Sequence, residues 1–346
     1  RRWTPTCGHR RRIRQDGRRC EPVTISATEL LEPAPNTPSF MAGYGSKVIA
    51  VGSNMVPSGG HSLIAPNGTY SVMNTSTNTA RLYGGLSGAT IDENWIRNST
   101  DRPCAVLTIG DKWIVCQLNG GTKIIDPASP AFISSGPTVP GRGGSYRYSK
   151  WLICGEHLVS ISADYGITTY SVHIPTSTVR PGMYTGNYGT GAVVVDDTHV
   201  AMHTNYSGFR KVWDIVAGAE VADITGPWAA TGIGCLHGGY AWTVSGNTFY
   251  RLNPTTYASS SYTTTVPGGT PNGSPLVVGP TGMLHTMGVG EAPNPVGSPV
   301  LITFDPVTAM VDKSLITPDY GANARRYAVV SAAGKLWIAG GYPYEV

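Results

Sequence analysis

The chain has 346 residues, of which 40% are hydrophobic and only 13% charged, with 44 glycines and 26 prolines. That balance suits many short strands joined by tight turns, and no run approaches the roughly 18 to 20 apolar residues of a membrane-spanning helix. The net charge of +4 hides a division: residues 1–20 hold eight arginines against one acid, Asp16, while the rest carries 17 basic residues against 20 acids.

In chain order the first element is a basic arm, residues 1–21, in which Arg10, Arg11, Arg12, Arg14, Arg18 and Arg19 are the charges expected to anchor it to a partner. It opens with neither Met nor an apolar signal core, which implies a removed leader or a chain that is not the whole translation product. Cys7, His9 and Cys20 offer three zinc-compatible ligands around an Asp16-Gly17 turn, but a fourth is missing, so zinc, a disulfide and two plain thiols stay open. Nucleic acid is a poor partner, because Trp3 is the one aromatic residue near the arginines and no nucleic-acid module surrounds them. The acidic surface of another subunit in a larger assembly needs fewer assumptions.

Residues 22–31, PVTISATELL, read as a strand followed by a Pro-rich connector. A motif then recurs: KVIAVGS from Lys47, KWIVCQ from Lys112, HLVSIS from His157, HVAMHT from His199, YAWTVS from Tyr240, MLHTMG from Met283 and KLWIAGG from Lys335. With Val48, Trp113, Leu158, Val200, Ala241, Leu284 and Leu336 as equivalents, the intervals are 65, 45, 42, 41, 43 and 52. In phase with it runs a second signal, strand, Pro/Gly/Thr turn, strand, as in YRLNPTTYAS and ITFDPVTAMVD, with Pro where no ladder N–H is needed. Four strands in about 43 residues make a propeller blade. The prediction is an all-β, seven-bladed β-propeller over residues 22–346, carrying an extended basic N-terminal arm; a six-bladed ring with an irregular first unit is the alternative. The interval of 65 predicts an inserted loop at residues 75–101. The last unit has room for a third strand but no fourth, so residues 22–31 are the expected donor that closes the ring and covers its edge.

On such a ring, the connections between blades and those between second and third strands share one face. That face would gather Arg102, Arg147, Tyr188, Arg325 and Arg326 from the first set and Asp164, Tyr165, Asn205 and Tyr206 from the second. Guanidinium groups clamp carboxylates and aromatic faces stack on sugar rings, so these nine residues form a candidate ligand site, against the plainer reading that they cap strands or solvate loops. Residues 162–169, SADYGITT, resemble the Asp box of sialidases and related propellers, with Thr169 where that family has Trp. The resemblance implies a stabilised turn and not a catalytic group. Asp92, Glu93, Asp101, Asp164, Asp196, Asp197 and Glu291 are available acids, but no pairing of the kind a glycosidase needs is indicated.

The histidines fall mostly one to a unit, which reads as repeat packing, and His199 and His203 lie about 13 Å apart along a strand, too far to share one metal ion. No zinc-protease motif, phosphate loop, dinucleotide fingerprint or nucleophile elbow is present, and no motif asks for a cofactor. Cys104, Cys116, Cys154 and Cys235 read as buried free thiols, with Cys104 expected opposite Gln117, and they favour folding in a reducing compartment. Sequons at Asn67, Asn74, Asn98, Asn205 and Asn272 keep a secreted alternative open.

Low charge, propeller repeats and an anchoring arm together resemble bacteriophage minor tail or receptor-recognition proteins, on architecture and composition and without a diagnostic motif. That resemblance implies a non-enzymatic interaction propeller in a virion, assembled in the host cytoplasm and engaged in assembly or host-surface recognition, with a cell-surface glycan as a further ligand. The alternatives are a carbohydrate-active propeller enzyme, a glycosidase or lyase, and a secreted lectin-like propeller.

Overall fold

Alternating and apolar segments of four to seven residues, separated by Gly, Pro and Asx turns, fold here as short twisted strands. The computed structural model describes residues 24–26, 28–29, 40–44, 47–51, 60–64, 70–74, 79–84, 89–93, 103–110, 112–117, 120–125, 133–140, 150–161, 168–184, 189–204, 210–271, 273–317, 328–332, 335–339 and 343–345. The arm, with its arginines and with Cys7, His9 and Cys20, lies outside the described residues.

Two short strands, β1 (Thr24–Ser26) and β2 (Thr28–Glu29), come first. A six-stranded meander follows: β3 (Phe40–Tyr44), β4 (Lys47–Val51), β5 (Gly60–Ile64), β6 (Tyr70–Asn74), β7 (Thr79–Gly84) and β8 (Ala89–Glu93). The next sheets have four strands each. They are β9 (Pro103–Ile109), β10 (Lys112–Gln117), β11 (Thr122–Ile125) and β12 (Ile133–Ser135); then β13 (Lys150–Cys154), β14 (His157–Ile161), β15 (Thr168–His173) and β16 (Thr178–Tyr184). After these come β17 (Gly189–Val194), β18 (His199–Thr204), β19 (Arg210–Asp214) and β20 (Ala219–Asp223), and then β21 (Cys235–His237), β22 (Tyr240–Ser245), β23 (Thr248–Leu252) and β24 (Ser259–Thr263).

The next sheet has a divided inner edge, β25 (Gly269–Pro271) and β26 (Val277–Val278), both paired with β27 (Leu284–Gly290), then β28 (Pro299–Phe304) and β29 (Val311–Thr317). β1 joins its outer edge parallel to β29, with Thr24 opposite Leu315. The C-terminal sheet is β30 (Ala328–Ala332), β31 (Lys335–Ala339) and β32 (Pro343–Glu345), and its fourth strand is β2, antiparallel to β32 with Thr28 opposite Glu345.

The first strands of successive sheets lie against one another in the order β3, β9, β13, β17, β21, β26 and β30, and β30 returns to β3. This is a β-propeller. Each repeat position from Val48 to Leu336 falls in the second strand of its sheet. The expectation of a seven-bladed propeller is corrected to five blades: five sheets are regular four-stranded blades, and the other two are irregular, with six strands each. One of the two is enlarged by β7 and β8, so the segment expected as an inserted loop over residues 75–101 carries a hairpin instead. The other is enlarged by its divided inner edge and by β1.

The core lies between sheets, because the two faces of an inner strand such as β13 are buried against different neighbours. Trp151 packs with Ile114 and Cys116 of the preceding sheet, whereas Leu152, the next residue, packs with Ala192, Val200 and Trp213 of the following one. Phe249 and Phe304 stack at 4.3 Å between centroids across another such interface. The Asx-Pro-x-Thr turns have a physical basis: Asn253 Oδ1 accepts from the N–H groups of Thr255 at 2.8 Å and Thr256 at 3.0 Å, and Asp305 Oδ1 from those of Val307 at 2.8 Å and Thr308 at 3.3 Å. Each turn ends on a left-handed residue, Tyr257 (φ 54) and Ala309 (φ 57).

Cys116 and Cys154 are buried free thiols, and Cys235 is a free thiol at intermediate exposure. A register shift after Cys116 sets Gln117 opposite Pro103, not Cys104 as the hairpin register predicts. Among the described residues no helix is long and apolar enough to cross a membrane.

Candidate functional site

The nine residues expected at a ligand site, Arg102, Arg147, Asp164, Tyr165, Tyr188, Asn205, Tyr206, Arg325 and Arg326, all fall in connections outside the described residues. The Asp-box segment does so up to residue 167, with Thr168 and Thr169 opening β15. What is described are the strand ends that flank these connections. Antiparallel pairing puts the starts of β13 and β17 and the ends of β14, β16 and β18 at one end of their sheets.

Three glycines 41 residues apart mark this end, Gly191, Gly232 and Gly273. A Cβ on Gly191 would come 2.4 Å from the Gly232 carbonyl, and one on Gly232 would come 2.6 Å from the Gly273 carbonyl. Any side chain there would push successive inner edges apart, so glycine is required by close backbone approach.

Lys150 opens β13 directly opposite Ile161. Strand alternation puts it on the same face as Leu152 and Cys154, which pack towards the β17–β20 sheet. Burial pulls its ammonium pKa below the ordinary lysine value. His203, near the end of β18, is buried, and its pKa is lowered first by that burial and further by the Arg210 charge, with a hydrogen bond to the Ala230 backbone working the other way. Thr204 beside it is also buried. Burial thus makes each of the two groups hold its proton less tightly than it would in water.

Farther round the same end, Lys313 Nζ donates to Asn247 Oδ1 at 3.0 Å and to the Gly269 carbonyl at 2.5 Å. Asn294 Nδ2 donates to the Gly268 carbonyl at 2.8 Å, and Thr270 Oγ1 donates to Glu291 Oε1 at 2.8 Å. Burial lowers the Lys313 pKa and the Glu291 charge opposes that shift. These groups satisfy one another across two adjacent sheets, which makes them a clamp between sheets.

Of the acids, Asp196 accepts from the Thr198 and His199 N–H groups at 2.8 and 2.9 Å and contacts His199 Nδ1 at 2.9 Å, which caps a turn. Asp92 and Glu93 lie in β8, and Asp101 and Asp164 lie outside the described residues. Among the described residues no three His, Cys, Asp or Glu side chains converge on a position that could hold a metal ion. His203 and His285 are buried as repeat packing predicts, but His157 and His173 face each other across β14 and β15 with ring centroids 5.0 Å apart. The strand motifs locate each histidine, but they do not say that the two are cross-strand partners.

No family model matches the chain, and no curated protein matches it. Solved structures do. Virginiamycin B lyase from Staphylococcus aureus is similar with a TM-score of 0.63 at 12% identity, covering 92% of this chain and 97% of that one. A streptogramin B lyase is similar with a TM-score of 0.57 at 11% identity, covering 92% and 96%. PorZ, a surface component of the type-IX secretion system of Porphyromonas gingivalis, reaches a TM-score of 0.53 at 11% identity, covering 92% of this chain and 37% of PorZ. At such identities the likeness establishes the fold. It also overturns the reading of a non-enzymatic virion component, since two of these three propellers are lyases and none is a phage protein. The chain is an all-β propeller whose structural neighbours are of the virginiamycin B lyase type.

Proposed function

We propose that this chain is a propeller enzyme of the lyase kind, with its chemistry at the sheet end where β13 and β17 begin. The observation that carries this reading is the match with two lyases over nearly the whole of both chains. An eliminating enzyme needs a base to take a proton from carbon and a donor for the departing group. Lys150 and His203 are the candidates for the first role, because burial lowers the pKa of each. Arg102, Arg147, Arg325 and Arg326, which precede β9, β13 and β30 in the sequence, suit the holding of a carboxylate or carbonyl oxygen beside the proton to be removed.

The same reading gives residues 22–31 the task of closing the ring, supported by the pairing of β1 with β29 and β2 with β32. It leaves residues 1–21 as an attachment arm for an acidic surface.

The test incubates the purified chain with virginiamycin B and, separately, with a uronic-acid polysaccharide. Elimination yields products whose masses add up to that of the substrate and a new double bond that absorbs in the ultraviolet. Lys150→Ala and His203→Ala should each lower kcat by roughly 10²- to 10⁴-fold while the melting temperature stays within a few degrees. Products that gain water would replace the lyase reading with a hydrolase, and saturable binding of the polysaccharide without turnover would replace it with a glycan-binding propeller.

A further inference from the structure

At the opposite end of the β13–β16 sheet the pairing register lines up a polar row. His157 on β14 is directly opposite His173 on β15, and His173 is directly opposite Thr178 on β16. Directly paired residues share a face of the sheet, and Arg180, two positions beyond Thr178, shares it too. That face turns towards the β17–β20 sheet, as the hydrogen bond of 2.6 Å from Ser171 Oγ to the Ile215 carbonyl shows. Between them lies a cavity of about 310 Å³ lined by His157, His173, Thr176, Thr178, Arg180 and Val216.

The groups around the cavity divide into committed and uncommitted ones. His173 is committed on both ring nitrogens, Nδ1 to Thr176 Oγ1 at 2.7 Å and Nε2 to Glu156 Oε2 at 3.3 Å. Thr176 Oγ1 is in turn 2.8 Å from Thr178 Oγ1. A consistent arrangement has Nε2–H donating to the carboxylate and Nδ1 accepting from the Thr176 hydroxyl. Asp214 Oδ1 is committed to the N–H groups of Val216 and Ala217, at 2.8 Å each. Among the described residues, neither the His157 ring nor the Arg180 guanidinium makes a hydrogen bond or an ion pair.

A cavity with one apolar wall, Val216, offers little to an apolar ligand. A metal ion is also unsuited, since no three ligating side chains converge among the described residues. An unpaired guanidinium beside an imidazole presents N–H donors, the complement of an anion's oxygens.

We propose that this cavity binds a small oxyanion, carboxylate or sulfate-like, between Arg180 and His157, and that loading it draws a proton onto His157. Arg180 is the cation near His157 and Glu156 and Asp214 the anions, so with both histidines neutral these groups sum to −1, and a proton on His157 offsets that excess negative charge. In the empty site burial holds the His157 pKa below the ordinary value, with His173 and Arg180 adding to the shift and Glu156 and Asp214 opposing it. An anion placed between Arg180 and His157 reverses the unfavourable part of that field, so anion and proton bind with positive coupling.

The site is at the other end of the sheet from the proposed lyase chemistry, and neither reading depends on the other. The test uses the full chain with sodium sulfate, whose charge does not change over the range, and with sodium acetate as the carboxylate probe. Histidine ring resonances are followed between about pH 5 and about pH 8. Sulfate should bind roughly tenfold more tightly at the acid end and raise the midpoint of the His157 resonance. Arg180→Gln, on an exposed side chain, should abolish both effects with unchanged melting. Acetate should act in the same direction if carboxylates are admitted and leave the resonance unmoved if the site takes only tetrahedral oxyanions. Sulfate affinity independent of pH, an unmoved His157 midpoint, or effects that persist in Arg180→Gln would overturn the proposal.

Discussion

His285 lies within β27, buried, with Nδ1 3.0 Å from Thr303 Oγ1, and burial pulls its pKa down to about 4. The folded protein therefore keeps the ring neutral where the unfolded chain protonates it. The stability that this neutral ring contributes is complete above the ordinary histidine pKa of about 6.5 and is lost as pH falls from there through about 4. The loss amounts to about 3 kcal/mol. Urea unfolding at about pH 7 and about pH 4.5 should show it, and His285→Gln should show a smaller pH dependence over the same interval. An equal dependence in both proteins would place the acid sensitivity elsewhere.

Single-residue reading of the sequence has a clear limit. His203 and His285 are buried within strands, as expected of repeat packing, yet His157 and His173 meet across a hairpin. Their meeting depends on how many residues the connection 162–167 uses, and composition alone does not specify a loop's conformation. Lys150 and Lys313 carry no signal in the sequence for a similar reason. Nothing local marks a lysine as buried, whereas both open or occupy strands whose neighbours come from the next sheet.

At the scale of the element, the recurring Asx turn is the feature most directly encoded. An Asp or Asn carboxyl or amide oxygen can reach the N–H groups two and three residues on, which makes the turn locally sufficient. Asp305→Ala should remove the bonds to Val307 and Thr308 and the hydroxyl bond from Thr308 to Oδ2 at 2.6 Å, at a cost of about 1–2 kcal/mol in denaturant unfolding. Asp305→Asn retains an acceptor and should recover most of that loss. If Asp305→Ala is neutral, the left-handed backbone at Ala309 is holding the turn unaided. Strand positions were legible for the same reason: alternation and turn residues act within a few residues of sequence. The interval of 65 announced extra chain, but a loop and a hairpin differ only in whether β7 and β8 find each other and β6, which is a pairing decision and not a local one.

At the scale of the whole molecule, the N-terminal strands cover two outer edges. β2 completes the last sheet and β1 lies parallel on β29. Removing residues 1–31 would bare the edges of β32 and β29, which should lower the melting temperature by about 5–10 °C and promote association through the open edges. Removing residues 1–21 alone should leave the melting temperature unchanged. Calorimetry and sizing of the two truncated chains separate the roles of strand and arm, and equal behaviour of the two would mean that edge coverage contributes nothing measurable.

The sequence by itself determined the propeller. A period near 43 residues, alternating strands and self-contained turns are short-range properties, and seven equivalent positions each landed in the second strand of a sheet. Tertiary structure alone decided the rest. It set which sheets stay at four strands and which grow to six, because strand addition depends on a free edge and not on local preference. It also brought His157, His173 and Arg180 onto one cavity and buried Lys150 between sheets, because such encounters depend on the register and packing of strands far apart in the chain.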